Sequence, residues 1–159
     1  MTHALNQGQT HDITLDEVLP HAPEIVWKAL TTGTLMARWM MEPAGFEPIV
    51  GNRFTFKTTP AGEWDGTIHC EVLEVKPKER FVYAWKGGHP SNTAYGAPLD
   101  TVVTLTLSQV DSGTRLRVVH SGFVLPRNDT AFTSMSKGWK VCVERLDGAL
   151  AGPTSGDKA

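Results

Sequence analysis

The sequence predicts an α+β domain: a curved antiparallel sheet gripping one long C-terminal helix, with two short helices directly after the first strand. Three observations lead there. Apolar and polar residues alternate through a series of segments joined by short turns, the pattern of hairpin-connected strands with one buried face. Phe132, Met135, Trp139, Cys142 and Leu146 recur at spacings of 3, 4, 3 and 4, which draws one apolar stripe along about four helical turns. Between the first strand and the others, Pro23-Glu24 places a proline and an acid where the first turn of a helix favours both.

In chain order, Ile13 to Leu19 forms the first strand, with Ile13, Leu15 and Val18 inward and Pro20 ending it. Val26, Trp27 and Leu30 give the first helix an apolar face, and Gly33 stops it. Thr34 caps a second helix carrying Leu35, Trp39 and Met40. Phe54 and Phe56 share one face of the next strand. A long strand from Trp64 to Val75 follows, in which Trp64, Ile68, Cys70 and Val72 share one parity and Leu73 and Val75 take the other. A parity switch within a strand predicts a bulge or strong bend. Pro77-Lys78-Glu79 turns the chain into a strand with Phe81, Tyr83 and Trp85 inward, and the Gly- and Pro-rich stretch from Gly87 to Pro98 is a loop. Val103, Leu105 and Leu107 alternate with threonines, Asp111-Ser112-Gly113 makes a hairpin turn, and Leu116, Val118 and His120 form the last inward set. Asn128 or Asp129 caps the long helix. Gly138 lies inside that helix, where glycine costs ~1 kcal/mol relative to alanine, and predicts close approach of another backbone. The domain is expected over residues 12–150, with flexible tails at 1–11 and 151–159.

Composition narrows the function. A chain of 159 residues suits one domain, and 40% hydrophobic with 20% charged residues fits neither a disordered chain nor a membrane span. The net charge of −2 argues against nucleic acid as a partner. No run approaches ~18 apolar residues, and the N-terminus lacks the charged and apolar regions of a signal peptide, so a cytoplasmic protein without a membrane partner is expected. Cys70 and Cys142 then read as free thiols. No ligand spacing for a metal, no phosphate-cradling glycine loop and no G-x-S-x-G nucleophile motif is visible, so no metal or cofactor is expected. The unusual feature is aromatic: five of the 13 aromatic residues are Trp and only two are Tyr. Cores are more often built from Leu, Ile, Val and Phe, because an indole N–H needs a partner.

A curved sheet wrapped around one helix leaves a gap where the two diverge, a natural site for a small apolar ligand. The residues expected to line it are Trp39, Met40, Phe56, Trp64, Tyr83, Trp85, His120, Met135 and Trp139, whereas Trp27 belongs to the packing of the first helix. His120 has two readings. Its inward parity suits an acid, a base or a ligand contact in the cavity, and equally a hydrogen-bonded core histidine. His69 has outward parity and His89 lies in the loop.

Four stretches carry a resemblance to a known family: Ala22-Pro23-Glu24-Ile25-Val26-Trp27-Lys28-Ala29-Leu30-Thr31 with Arg38-Trp39-Met40; Val50-Gly51-Asn52-Arg53-Phe54; Gly66 through Glu74-Val75-Lys76-Pro77-Lys78-Glu79-Arg80-Phe81-Val82-Tyr83-Ala84-Trp85; and Gly113-Thr114-Arg115-Leu116 with His120-Ser121-Gly122-Phe123, Gly138-Trp139 and Arg145-Leu146. Together they resemble the START-like (SRPBCC) superfamily with its helix-grip, birch-pollen-allergen-like fold, and within it the heat-shock protein 90 ATPase activator-like branch. Two positions depart from that pattern: Gly51-Asn52 stands where the family often has two glycines, and Met40-Met41 follows Trp39 where a second Trp is frequent. The resemblance implies the helix-grip fold and three functions. The first is a binding protein for a small hydrophobic, aromatic-tolerant ligand. The second is a cyclase- or hydrolase-like enzyme acting on an aromatic or polyketide-like substrate, with His120 as the acid or base. The third is a chaperone-regulator module with a heat-shock protein 90 partner. A monomer or homodimer is expected in each case.

Overall fold

Phe81, Tyr83 and Trp85, at alternate positions of one strand, are all buried and fix which face of the sheet is inside. The computed structural model describes residues 10–158, with side chains as far as Ala151. The elements are β1 (Thr10–Leu19), α1 (Pro23–Leu30), α2 (Gly33–Trp39), β2 (Arg53–Lys57), β3 (Thr67–Lys76), β4 (Arg80–Gly87), β5 (Leu99–Val110), β6 (Gly113–Val124) and α3 (Asp129–Lys158). The six strands form one antiparallel sheet in the order β1-β6-β5-β4-β3-β2. Register follows the alternation: Phe54 lies opposite Cys70, Tyr83 opposite Val103, and Leu105 opposite Val118, all buried. Full burial of each such side chain contributes about 1.5–3 kcal/mol.

The expected bulge is present in β3. Val72 pairs with Tyr83 and Glu74 with Val82, so Leu73 is the extra residue. It projects outward at 43% exposure rather than joining Val75 inside, because a bulge residue has no partner across the ladder. Val18 is likewise outward, against expectation. It faces Arg115 in the register, on the parity opposite to Ile13 and Leu19. Trp64 falls before β3, in a turn bridged by Ala61 and Trp64. Gly33 does not stop α1. Thr31 closes that helix, its hydroxyl donating to the Trp27 carbonyl (2.8 Å), and Gly33 becomes the first residue of α2. The Thr32 carbonyl accepts the Leu35 and Met36 N–H groups, so Thr34 is not the cap. At Gly113 a side chain would collide with the Leu19 carbonyl, and φ is +147°, which is why the β5–β6 turn takes glycine there.

Asn128 precedes α3, and its carbonyl accepts the Phe132 N–H (2.8 Å). Its side chain is buried and turns away from the helix: Oδ1 accepts from the Val124 N–H (2.9 Å) and Nδ2 donates to the Pro98 carbonyl (2.8 Å). The β4–β5 loop is thus tied to the entry of α3. The helix runs on to Lys158. The expectation for residues 1–9 and 159 lies outside the described residues. Trp139, Val143 and Leu146 bury one face of α3. Its backbone packs against α1, α2, β1 and β6 and stands clear of β2, β3 and β4. Among the described residues no helix is long and apolar enough to cross a membrane.

Candidate functional site

Where α3 lifts away from β3 and β4, a cavity of about 250 Å³ opens. The helix contributes Ala131, Ser134, Met135, Gly138, Trp139 and Cys142, which recur at helical spacing on one face. The sheet contributes Ile68, Trp85, Gly87 and Leu99. The rim comes from Met40 and Met41 after α2, from Thr58 and Trp64 in the β2–β3 loop, and from Tyr95, Gly96 and Ala97 in the β4–β5 loop. The two loops are fastened to each other. Tyr95 donates its hydroxyl to the Thr59 carbonyl (2.7 Å), Asn92 donates to the Ala61 carbonyl (2.9 Å), and the Trp64 and Tyr95 rings lie 5.8 Å apart.

The wall therefore holds Met40, Trp64, Trp85, Met135 and Trp139 of the residues expected to line it. Trp39, Phe56, Tyr83 and His120 are buried behind it in solid packing. Trp39 donates its indole N–H to the Ala29 carbonyl (2.9 Å), which locks α2 onto α1 instead of facing the gap. Phe56 and Tyr83 each pack against Phe54 on the sheet. Trp27 does not border the cavity; its ring meets the edge of Phe81 at 6.3 Å. Gly138, Cys142, Tyr95 and the loop residues entered the wall without being foreseen. Gly138 had a signal in the sequence, the cost of glycine in a helix, but the expected partner backbone is absent: a Cβ there would meet nothing within 4 Å. The open space is the cavity.

His120 is completely buried, and its hydrogen bonds can be assigned atom by atom. Indole N–H groups only donate, so the Trp139 Nε1–H bond to Nδ1 (3.0 Å) leaves Nδ1 unprotonated. The proton of the neutral ring then sits on Nε2 and is donated to Thr101 Oγ1 (2.8 Å), whose own proton goes to the Trp85 carbonyl (2.8 Å). The chain of bonds joins α3, β6, β5 and β4 and satisfies each member. Burial drives the imidazole pKa down to about 3, so the ring is neutral at physiological pH. With both nitrogens occupied and no surface on the cavity, His120 fits the core-histidine reading. Burial also raises the thiol pKa values, to about 12 for Cys70, while Arg145 partly offsets the rise at Cys142. Neither thiol is activated as a nucleophile. Among the described residues no group of three or more His, Cys, Asp or Glu could hold a metal ion.

One buried side-chain polar atom among the described residues lacks a partner: Nε1 of Trp85, a residue of the cavity wall. Leaving such a group unpaired costs about 1–3 kcal/mol.

Comparison with known proteins agrees with this architecture. A protein of Mesorhizobium loti of known structure is similar to the chain at 34% identity, with a TM-score of 0.77, over 88% of this chain and 96% of that one. A Bacillus halodurans protein (24% identity, TM-score 0.66) and the Aha1 dimer from Colwellia psychrerythraea (20%, 0.68) each match over 88% of this chain and 96% of their own, and show the shared fold. A search of curated proteins found no match. The family model described as "Activator of Hsp90 ATPase homolog 1-like protein" matches residues 20–151, and the chain belongs to that family.

Proposed function

We propose that the protein binds a small, uncharged hydrophobic molecule in the cavity between α3 and the β3–β4 half of the sheet. The observation that carries this reading is the wall itself: among the described residues it contains no Lys, Arg, His, Asp or Glu. A charged ligand would be stripped of water there with nothing to pair it. In this reading the contacts come from Met40, Trp64, Trp85, Met135 and Trp139. The volume of about 250 Å³ lies between the ~150 Å³ of an engineered cavity that holds benzene and the ~300 Å³ at which drug-sized sites begin. That suits a compound of one or two rings, gaining from area burial and from stacking on indole faces.

Binding is favoured over turnover because the wall lacks an acid–base pair. The cyclase- or hydrolase-like reading would need His120, which is neutral, hydrogen-bonded through both nitrogens and behind the wall. The test is native mass spectrometry of freshly purified protein, followed by titration with naphthalene and with its anionic counterpart 1-naphthoate. A retained small molecule, or saturable quenching of tryptophan emission by naphthalene alone, is the expected result. Equal response to both probes, or a linear response to naphthalene, would count against it.

A second reading, contact with a heat-shock protein 90 partner, follows from the family description and from exposed Ile49, Val50 and Leu73. The turn carrying Ile49 and Val50 is hydrogen-bonded to β3 through Gly51 and Val72, next to Leu73. A pulldown with the cognate chaperone that recovers nothing would set this reading aside.

A further inference from the structure

Two glycines of α3 are sterically open: at both Gly138 and Gly148 an added Cβ would meet nothing within 4 Å. An alanine would therefore fit at either, and glycine inside a helix carries a stability cost that neither position repays through close backbone packing. They differ in surroundings. Gly148 faces solvent, whereas Gly138 forms part of the cavity wall between Met135 and Trp139 on the helix and shares that cavity with Trp85 of the sheet.

From this we infer that Gly138 is the specificity-determining residue of the cavity: the volume it leaves empty admits a flat two-ring molecule, and any side chain there restricts the site to smaller ligands. The inference rests on the ligand-binding reading above. In a cavity of about 250 Å³ an isobutyl group at position 138 would occupy much of the space that a second aromatic ring needs. Indole faces of Trp64, Trp85 and Trp139 reward a flat ligand over a globular one of equal volume, since aromatic pairs gain from ring geometry as well as from area.

The experiment compares wild type, Gly138→Ala, Gly138→Leu and Gly148→Ala, each first checked for an intact thermal transition, using naphthalene and toluene as probes read by tryptophan quenching. Gly138→Leu is expected to weaken naphthalene about tenfold or more while changing toluene by less than about threefold, with Gly138→Ala intermediate and Gly148→Ala at the wild-type value. Should Gly138→Leu fail to fold, the Gly138→Ala to Gly148→Ala comparison decides alone. Wild-type naphthalene affinity in both Gly138 variants would overturn the role of Gly138 and leave cavity binding standing. No saturable binding of either probe to wild type would overturn both.

Discussion

The two halves of the sheet meet α3 in opposite ways. Under β6 the space is filled: Phe123, Leu116 and Val118 are buried, and His120 spends every polar atom on Trp139 and Thr101. Under β3 and β4 the same helix presents Ala131, Ser134, Gly138 and Cys142, and the sheet cannot reach them. Trp139 belongs to both halves. Its N–H anchors the solid side, and its ring closes the hollow side. The difference shows how one helix can supply stability and leave an open space at once: large residues on one sector, small ones on the next.

Substitutions should separate the halves, and the largest effect belongs to the solid side. His120→Ala removes a fully buried ring and strands the Trp139 N–H. A loss of roughly 3–5 kcal/mol in urea unfolding is expected, as for other large-to-small core changes.

Next comes pH. The folded-state pKa of His120 is about 3, against an ordinary 6.5 in the unfolded chain, so only the unfolded chain takes up this proton in that interval. Stability is complete above pH 6.5 and falls by up to about 1.4 kcal/mol per pH unit as pH drops toward 3. Urea midpoints measured from pH 7 to pH 4 should fall more steeply for wild type than for His120→Gln. Parallel curves would refute the buried neutral imidazole.

On the hollow side effects shrink. Met135→Ala, half-buried beside the cavity, should cost under about 1 kcal/mol in the same assay, since its side chain packs against the core on one side only and borders the cavity on the other. The smallest effect has the opposite sign: Gly138→Ala and Gly148→Ala should each stabilise by up to about 1 kcal/mol, seen as raised thermal midpoints, because both gain helix propensity without a clash.

Much of the fold was legible because parity is a local property. Phe54, Phe56, Phe81, Tyr83, Trp85, Val103, Leu105, Leu107, Leu116, Val118 and His120 all point inward as their alternation requires, and the parity switch in β3 marks a real bulge. Val18 escaped because apolar character does not say which side of a register a residue takes. The site was less legible. Inward parity places a residue inside but cannot say whether packed atoms or a void lie beyond it. Trp39 and Trp85 look alike in sequence; Trp39 finds the Ala29 carbonyl, whereas Trp85 lines the gap and its N–H is buried without a partner. The void depends on where α3 leaves the sheet, a relation between elements distant in the chain. Only Gly138 marked it locally, and its meaning changed from a close contact to an open space.

The central claim, a hollow half that receives a ligand beside a solid half that does not, is tested most directly by the five indole N–H resonances in an NMR titration with naphthalene. The signals of Trp64, Trp85 and Trp139 should move and saturate together while those of Trp27 and Trp39 stay in place. Five unmoved signals, or a shift shared equally by all five, would contradict it.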